Sequence, residues 1–365
     1  RCTSWREHRL RDVAPPLKDQ FGPDVVSRLA DTLPVDRAAF IADSLDGFEE
    51  LELMDRARHV ADVMHTHLDP DPVVAVRQVH EAIGAERSEG MAAFYYNPHS
   101  MFIAAYGLPA YGASMAAMYD LTKVFTAEFC IRPFIVEHPQ TMARLHEWAA
   151  DPDEHVRRLV SEGTRPRLPW AQRLPAFIAD PTPVLELLEL LKDDTSEYVL
   201  RSVGNNLNDI SKDHPSTAVD VARAWTPGRD ALVRRGLRTL IKACDPDALA
   251  VLGYSSSDVT AAAELPQEIR IGERLPVTLE LHGHGRVLVD IAVHFVKANG
   301  STSTKVFKGA ELDVDGTAVV RRSISFAQHS TRRHYPGAHR VDALINGLAQ
   351  QIGVVQVQPP VGSPA

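Results

Sequence analysis

The sequence has only three cysteines, Cys2, Cys130 and Cys244, widely spaced and never in a CxxC pair. That argues against a disulfide framework or a zinc ribbon and suits a reducing cytoplasm. It also lacks any apolar run of about 20 residues, the length that a membrane-spanning helix needs. Its most apolar stretch, 102–121, is broken by Gly107, Pro109 and Gly112. No signal-peptide apolar core follows Arg1, and a start on arginine is read as processed or trimmed. A convergent metal-ligand set is missing too. Sixteen histidines include His65 and His67, His282 and His284, and His329, His334 and His339, but none brings a clear set of further ligands. No functional metal is expected. The formal charge of −9 gives no overall positive excess for a nucleic-acid partner.

The distribution of charge matters more than its sum. Residues 1–100 hold 11 Lys/Arg against 18 Asp/Glu, and 101–156 hold 3 against 7. Residues 157–242 reverse the sign, with 14 against 11. The acid sits early and the middle is locally basic, which permits a basic face or an ordinary mixed surface. Hydrophobic residues at 44% and charged residues at 24% are ordinary for a globular chain. A length of 365 residues suggests two domains.

Residues 1–252 read as helical. Apolar residues recur at three and four, as in Val25, Leu29 and Leu33, or Met54, Val60, Val63 and Met64. Asp-Pro pairs at 69–70, 151–152, 180–181 and 245–246 punctuate the helices. Aspartate caps free helix amides, and proline is tolerated in the first turn. Three segments resemble one another when aligned on Val156, Val199 and Val233, each followed two residues later by Arg158, Arg201 or Arg235. Offsets of 43 and 34 residues suit a HEAT-like solenoid of antiparallel helix pairs, in which each pair buries its apolar face against the next. Chance likeness among amphipathic helices is the alternative.

The periodicity changes near residue 253. A linker is expected over 253–264, and an immunoglobulin-like β-sandwich over 265–365. Leu275, Val277, Leu279 and Leu281 alternate, then Val287, Val289, Ile291, Val293 and Phe295. Further runs follow at 303–308, 317–326, 339–345 and 352–357. Short period-two runs bounded by Gly, Asn and Ser are strands, and six or seven of them suggest a sandwich. The fold class is therefore mainly α, with a terminal β-sandwich.

The densest polar constellation lies between 125 and 215. Arg158 and Glu162 share a helical face four apart, and Gly163 stops that helix. Thr-Arg-Pro-Arg-Leu-Pro-Trp then forms a rigid connector carrying Arg165, Arg167 and Trp170. Arg201, Asn205 and Asn208 run along one face, with Asn206 and Asp209 beside it. Buried polar groups need partners, so a ligand-facing surface is the simpler reading. Bland alternatives stand beside each residue. Trp170 could be a core anchor, Glu162 a surface partner of Arg158, and Asp209 a surface acid. Glu128 could be a buried partner of Arg132, and Arg158, Arg201 and Arg235 could bridge repeats.

The motifs EGTRPRLPW, NNLNDISKDHP and EFCIRPF together resemble the AlkC branch of the HEAT-like alkylpurine DNA glycosylases. The likeness is strongest over 115–245 and continues weakly through HYPGAH and INGL in the β-domain. Leu200 departs from the pattern where a second arginine is usual, and Gly204 where a larger residue is common. The resemblance implies a monofunctional glycosylase that releases cationic N-methylated bases from duplex DNA without flipping them. The implied bases are 3-methyladenine, 3-methylcytosine and 1-methyladenine. It implies Glu128, Glu162, Trp170 and Asp209 as catalytic candidates. It implies backbone contacts by Arg158, Arg165, Arg167, Arg201, Asn206, Asn208 and Lys212. The basic loop at 329–340 adds Arg332, Arg333 and His334 as candidate DNA contacts, a solvated hairpin being the alternative. A cationic base leaves without a general acid, so the carboxylates stabilise the sugar cation and orient water. The expected partner is double-stranded DNA with alkylated bases. The expected protein is a cytoplasmic monomer, nucleoid-associated when bound, with no cofactor, metal, membrane contact or obligate protein partner. The rival reading is a non-enzymatic scaffold that binds DNA or protein through a concave face. Carboxylates inside a basic groove argue against it, because they repel phosphate.

Overall fold

The computed structural model describes residues 17–84, 94–254, 258–328 and 333–360. The chain divides into two compact units at Ile210/Ser211. The first unit is helical: α1 (Pro23–Thr32), α2 (Arg37–Leu45), α3 (Leu53–His67), α4 (Pro72–Ala82), α5 (Asn97–Tyr106), α6 (Tyr111–Val124), α7 (Ile131–Glu137), α8 (Gln140–Trp148), α9 (Glu154–Gly163), α10 (Pro175–Ala179), α11 (Thr182–Leu191) and α12 (Glu197–Ile210). Val25, Leu29, Leu33, Val60, Val63 and Met64 are all buried, as their spacing predicts. Helices α6, α9 and α12 pack in succession, while α8 and α11 form a second row against them. This is the repeat stacking expected from the aligned valines, and Val156 and Val199 both reach the core.

The Asp-Pro punctuation works in two steps at 69–72 and 151–154, whereas Asp245 itself caps α16 through the Ala248 amide. Asp69, Asp151 and Asp180 each accept the amide two residues on, fixing a turn. A second aspartate then caps the helix: Asp71 accepts from Val73 and Val74, and Asp153 from His155. The first helical turn therefore starts about two residues later than the prolines at 70 and 152 suggest.

The second unit opens with four helices, α13 (Pro215–Trp225), α14 (Asp230–Gly236), α15 (Arg238–Lys242) and α16 (Pro246–Val251). Six strands follow: β1 (Thr260–Glu264), β2 (Glu268–Arg270), β3 (Arg274–Val296), β4 (Thr302–Ser325), β5 (Gly337–Ile345) and β6 (Leu348–Gln358). The helical-to-β change falls where the periodicity changes, but β1 lies inside the segment read as a linker. Helices α13–α16 also group with the strands, because Leu249 and Tyr254 bury themselves against Leu288 of β3.

Pairs of expected short strands merge into β3 and β4. The ladder between them stays in register across Gly283↔Gly316 and Gly285↔Val314. Gly283 and Gly285 have φ of +133° and +127°, conformations that a side chain disfavours, so the ribbon bends there without breaking. Its first half pairs with β1 and its second half with β5, which continues to β6 and β2. The inward residues of both halves feed one core, from Leu275 to Val293. The result is an immunoglobulin-like β-domain. No single described helix is long and apolar enough to cross a membrane.

Candidate active site

Four stretches of the first unit meet around α9: the turn before α7, α9 itself, the loop after it, and α12. Asp153 caps α9, whose apolar stripe (Val156, Leu159, Val160) faces the core. That leaves Arg158 and Glu162 on the polar side. Arg132 of α7 fixes the following loop. Its guanidinium donates to the carbonyls of Gly163, Arg165 and Gln172 at 2.6–2.8 Å. Burial, and then the nearby Arg165 charge, lower its pKa to about 10, so it stays cationic at neutral pH. Glu128 is not its hydrogen-bond partner.

An alternating chain of charge results. Glu128 pairs with Arg158, and Thr126 bridges them by donating to Glu128 Oε2 at 2.8 Å and accepting from Arg158 Nη1 at 3.1 Å. Arg158 Nη2 lies 3.7 Å from Glu162 Oε1. Arg165 Nη1 donates to the same oxygen at 2.6 Å, and its Nε donates to Asp209 Oδ2 at 2.8 Å. Ser202 of α12 donates to Glu162 Oε2 at 2.6 Å. Desolvation alone would lower the Arg165 pKa, but Glu162 and Asp209 more than offset it and raise it. The chain Glu128–Arg158–Glu162–Arg165–Asp209 thus holds three carboxylates and two guanidiniums. Pairing of this kind fixes each carboxylate in one orientation before any ligand arrives. The Arg158 and Thr126 contacts of Glu128 both fall on Oε2.

The structure brings together the three expected carboxylates but reassigns several basic and amide residues. Arg158 and Arg165 were expected on phosphates, yet both guanidiniums are held by carboxylates inside the site. Arg165 is only 7% exposed. Asn206 was expected on the backbone as well. It is fully buried and donates to Ser161 O and Thr164 Oγ1, tying α12 to α9. Asn208 is also buried. Asp209 is 0% exposed, which rules out a surface acid, and it accepts from Arg165 Nε. Arg167 is half-buried, whereas Arg201 on α12 and Lys212 just beyond it are exposed.

Trp170 is not a core anchor: it is 91% exposed. Its φ of +63° is unusual for a bulky residue and costs about 1–3 kcal/mol. The ring borders a depression of about 280 Å³ with Met54, Met101, Phe129, Arg132 and Pro133, and none of the three carboxylates lines it. The expected convergence of Glu162 and Asp209 on Trp170 is therefore indirect, through the loop that Arg132 clamps.

In the β-domain, Arg333 is exposed. His334 is a correction: its ring is 4% exposed and packs on Phe295 and Phe326, 5.2 and 5.0 Å between centroids. Arg332 lies outside the described residues. Among the described residues, no group of three or more His, Cys, Asp or Glu is placed to hold a metal.

Sequence reasoning named Arg132 only as a partner of Glu128, and it missed Ser202 and Arg157. Arg157, beside the arginine that was singled out, also joins α9 to the turn before α12, through both Asp194 oxygens at 2.6 and 3.0 Å. The available signal was Asp194 itself, in the Lys-Asp-Asp-Thr turn before α12.

A family model described as "DNA alkylation repair enzyme" matches residues 118–221, which contain the whole charge chain. A second, described as "Uncharacterised protein YhaZ, C-terminal Ig-like domain", matches 258–359. The chain is 37% identical to YhaZ of Bacillus subtilis (strain 168) over 314 residues, 83% of this chain and 87% of that protein. The structure resembles the Pseudomonas fluorescens alkylpurine DNA glycosylase AlkC bound to DNA containing an abasic site analog. The TM-score is 0.81 at 31% identity, covering 95% of this chain and 100% of that one.

Proposed function

Since the chain belongs to the AlkC branch of the alkylpurine DNA glycosylases, we propose that it excises cationic N-methylated bases from duplex DNA. The observation that carries this reading is the Glu128–Arg158–Glu162–Arg165–Asp209 chain, with an exposed Trp170 at positive φ on the loop that follows α9.

The N-glycosidic bond breaks heterolytically. Its electron pair passes to the base nitrogen and neutralises the positive charge there, so no acid is needed. The sugar C1′ becomes an oxocarbenium ion, which a fixed carboxylate stabilises. Water adds to C1′ and gives its proton to a carboxylate. Glu128 and Glu162 are the less deeply buried acids of the chain, with side chains 12% and 8% exposed against 1% for Asp209. Glu128 Oε1 is the oxygen assigned to the water. Asp209 is a positioning residue that fixes Arg165 and, through it, Glu162. Trp170 lies against the lesion or sugar, a contact between ring and cation worth about 0.5–2 kcal/mol. It stands on the surface rather than at the bottom of a base-sized recess, which favours reaction without flipping. Exposed Arg201, Lys212 and Arg333 are assigned to phosphates.

The substrates proposed are 3-methyladenine, 3-methylcytosine and 1-methyladenine, released without lyase chemistry by a monomer. Single-turnover release from methylated duplex, with EDTA present, tests the reading. Glu162→Gln and Glu128→Gln should each lose about 10²–10³ in rate, the loss typical of one preorganised group. DNA affinity should hold or rise. Wild-type rates in both variants would show that the site lies elsewhere. Retained DNA affinity without any base release by the intact protein would favour a binding scaffold.

A further inference from the structure

The second unit holds a depression that the reaction above does not use. A cavity of about 590 Å³ opens between α14–α15 and the β3–β4 ribbon. Small-molecule sites commonly run from about 300 to 1,000 Å³. Arg234, Arg238, Lys242, Lys305 and Lys308 surround it, against two carboxylates, Asp290 and Glu311.

Among the described residues, Lys242 and Lys305 form no ion pair with either carboxylate. Glu311 accepts from Arg234, from Lys308 at 3.2 Å and from the Tyr254 hydroxyl at 2.9 Å. Burial alone would raise its carboxyl, but Tyr254, Lys308 and Arg234 more than offset this and hold it below the ordinary range. Asp290 is pushed up by burial and accepts the Gly309 amide at 3.1 Å. Like charges gathered around one concavity repel, and phosphate oxygens are the acceptors that suit clustered Arg and Lys donors. The floor is different: Ile241, Leu288 and the half-exposed Val306 present an apolar surface.

We propose that this cavity binds a nucleoside phosphate, with its ring on Ile241, Leu288 and Val306 and its phosphates toward Lys242 and Lys305. A duplex backbone is the less fitting occupant. It is convex, it meets cations on ridges, and it leaves an apolar floor unused. The cations here ring a hollow instead. The site is independent of the glycosylase reading, since none of its residues belongs to the charge chain around α9.

Isothermal titration at low salt tests the proposal on the full chain, with ADP, pyrophosphate and a short undamaged duplex as probes. ADP should bind saturably, and more tightly than pyrophosphate. The double variant Lys242→Gln/Lys305→Gln, at side chains that anchor no core, should weaken ADP about tenfold or more through lost charge-assisted contacts. Base excision should be unchanged in that variant, and the duplex should not displace ADP. Absent ADP binding, or equal affinity in the variant, would overturn the site. Equal affinity for pyrophosphate would overturn the role of the apolar floor. Displacement by duplex would make the cavity a DNA contact and overturn the assignment to a small ligand.

Discussion

Replacing Arg165 by methionine separates two readings of the loop after α9. As a phosphate contact, Arg165 would contribute little to stability, and its loss would weaken DNA binding and reduce the salt slope by about one. The structure instead places its guanidinium between Glu162 and Asp209, with those side chains 8% and 1% exposed. Removing the cation strands two buried carboxylates. Breaking a buried pair costs about 3–5 kcal/mol, mostly from the charge left behind. For a unit of roughly this size, 1 kcal/mol shifts Tm by about 2–4 °C, so Arg165→Met should melt about 10 °C lower or more. The control is Arg165→Met with Glu162→Gln and Asp209→Asn. Neutralising the stranded acids should restore most of the lost Tm while leaving excision abolished. Thermal melts of the three proteins and a salt titration of duplex affinity are the measurements. A single variant that melts with the wild type but shows a shallower salt slope would refute the internal role.

Arg132→Lys keeps the charge but loses the fork that holds three carbonyls, so the Trp170 loop should drift. Single-turnover excision should fall about 10²-fold, as small misplacements do, with duplex affinity nearly unchanged. His99 is fully buried, and burial lowers its pKa to about 3. The unfolded chain binds a proton near pH 6.5 and the fold does not, so stability is lost as pH falls from 6.5 toward 3, at about 1.4 kcal/mol per unit. His99→Asn should flatten that acid limb in melts between pH 7 and 5, and an unchanged slope would count against it. Gly347→Ala combines a φ of +84° with a Cβ only 2.1 Å from that of Cys244. It should lower stability by more than Gly316→Ala, which has a φ of +83° but open space; strain alone costs about 1–3 kcal/mol. Equal melting losses would mean that the Cys244 contact relaxes freely.

The parts legible from sequence are those set by local rules. Val60, Val63 and Met64 announce a helix face by spacing, and the alternation from Leu275 to Val293 announces strands. Glycines at 283 and 285 read as strand ends because they usually are; only the ladder partner Gly316 shows that the ribbon continues. At the site, residue types and the i,i+4 pair of Arg158 with Glu162 were legible, and the partners distant in sequence were not. Arg158 and Arg165 look alike on paper to Arg201. What separates them is that Glu128 and Asp209, distant in sequence, fold against the first two and leave the third exposed. His334 misled for the converse reason: basic neighbours suggest a surface, while Phe295 and Phe326 take the ring inward.

The alternating chain around α9 also constrains how this family can diverge. Five positions on four stretches of sequence pair with one another, so losing either guanidinium strands carboxylates in a closed space. Substitutions should accumulate in complementary steps: a neutral residue at 209 together with a neutral one at 165, or at 128 with 158. Lineages that keep one partner and lose the other should be rare. Where both have gone, the remaining acid at 162 should retain a cation from one side only. Correlated exchange at these positions across diverged relatives would be the historical trace of a site whose members are selected as pairs.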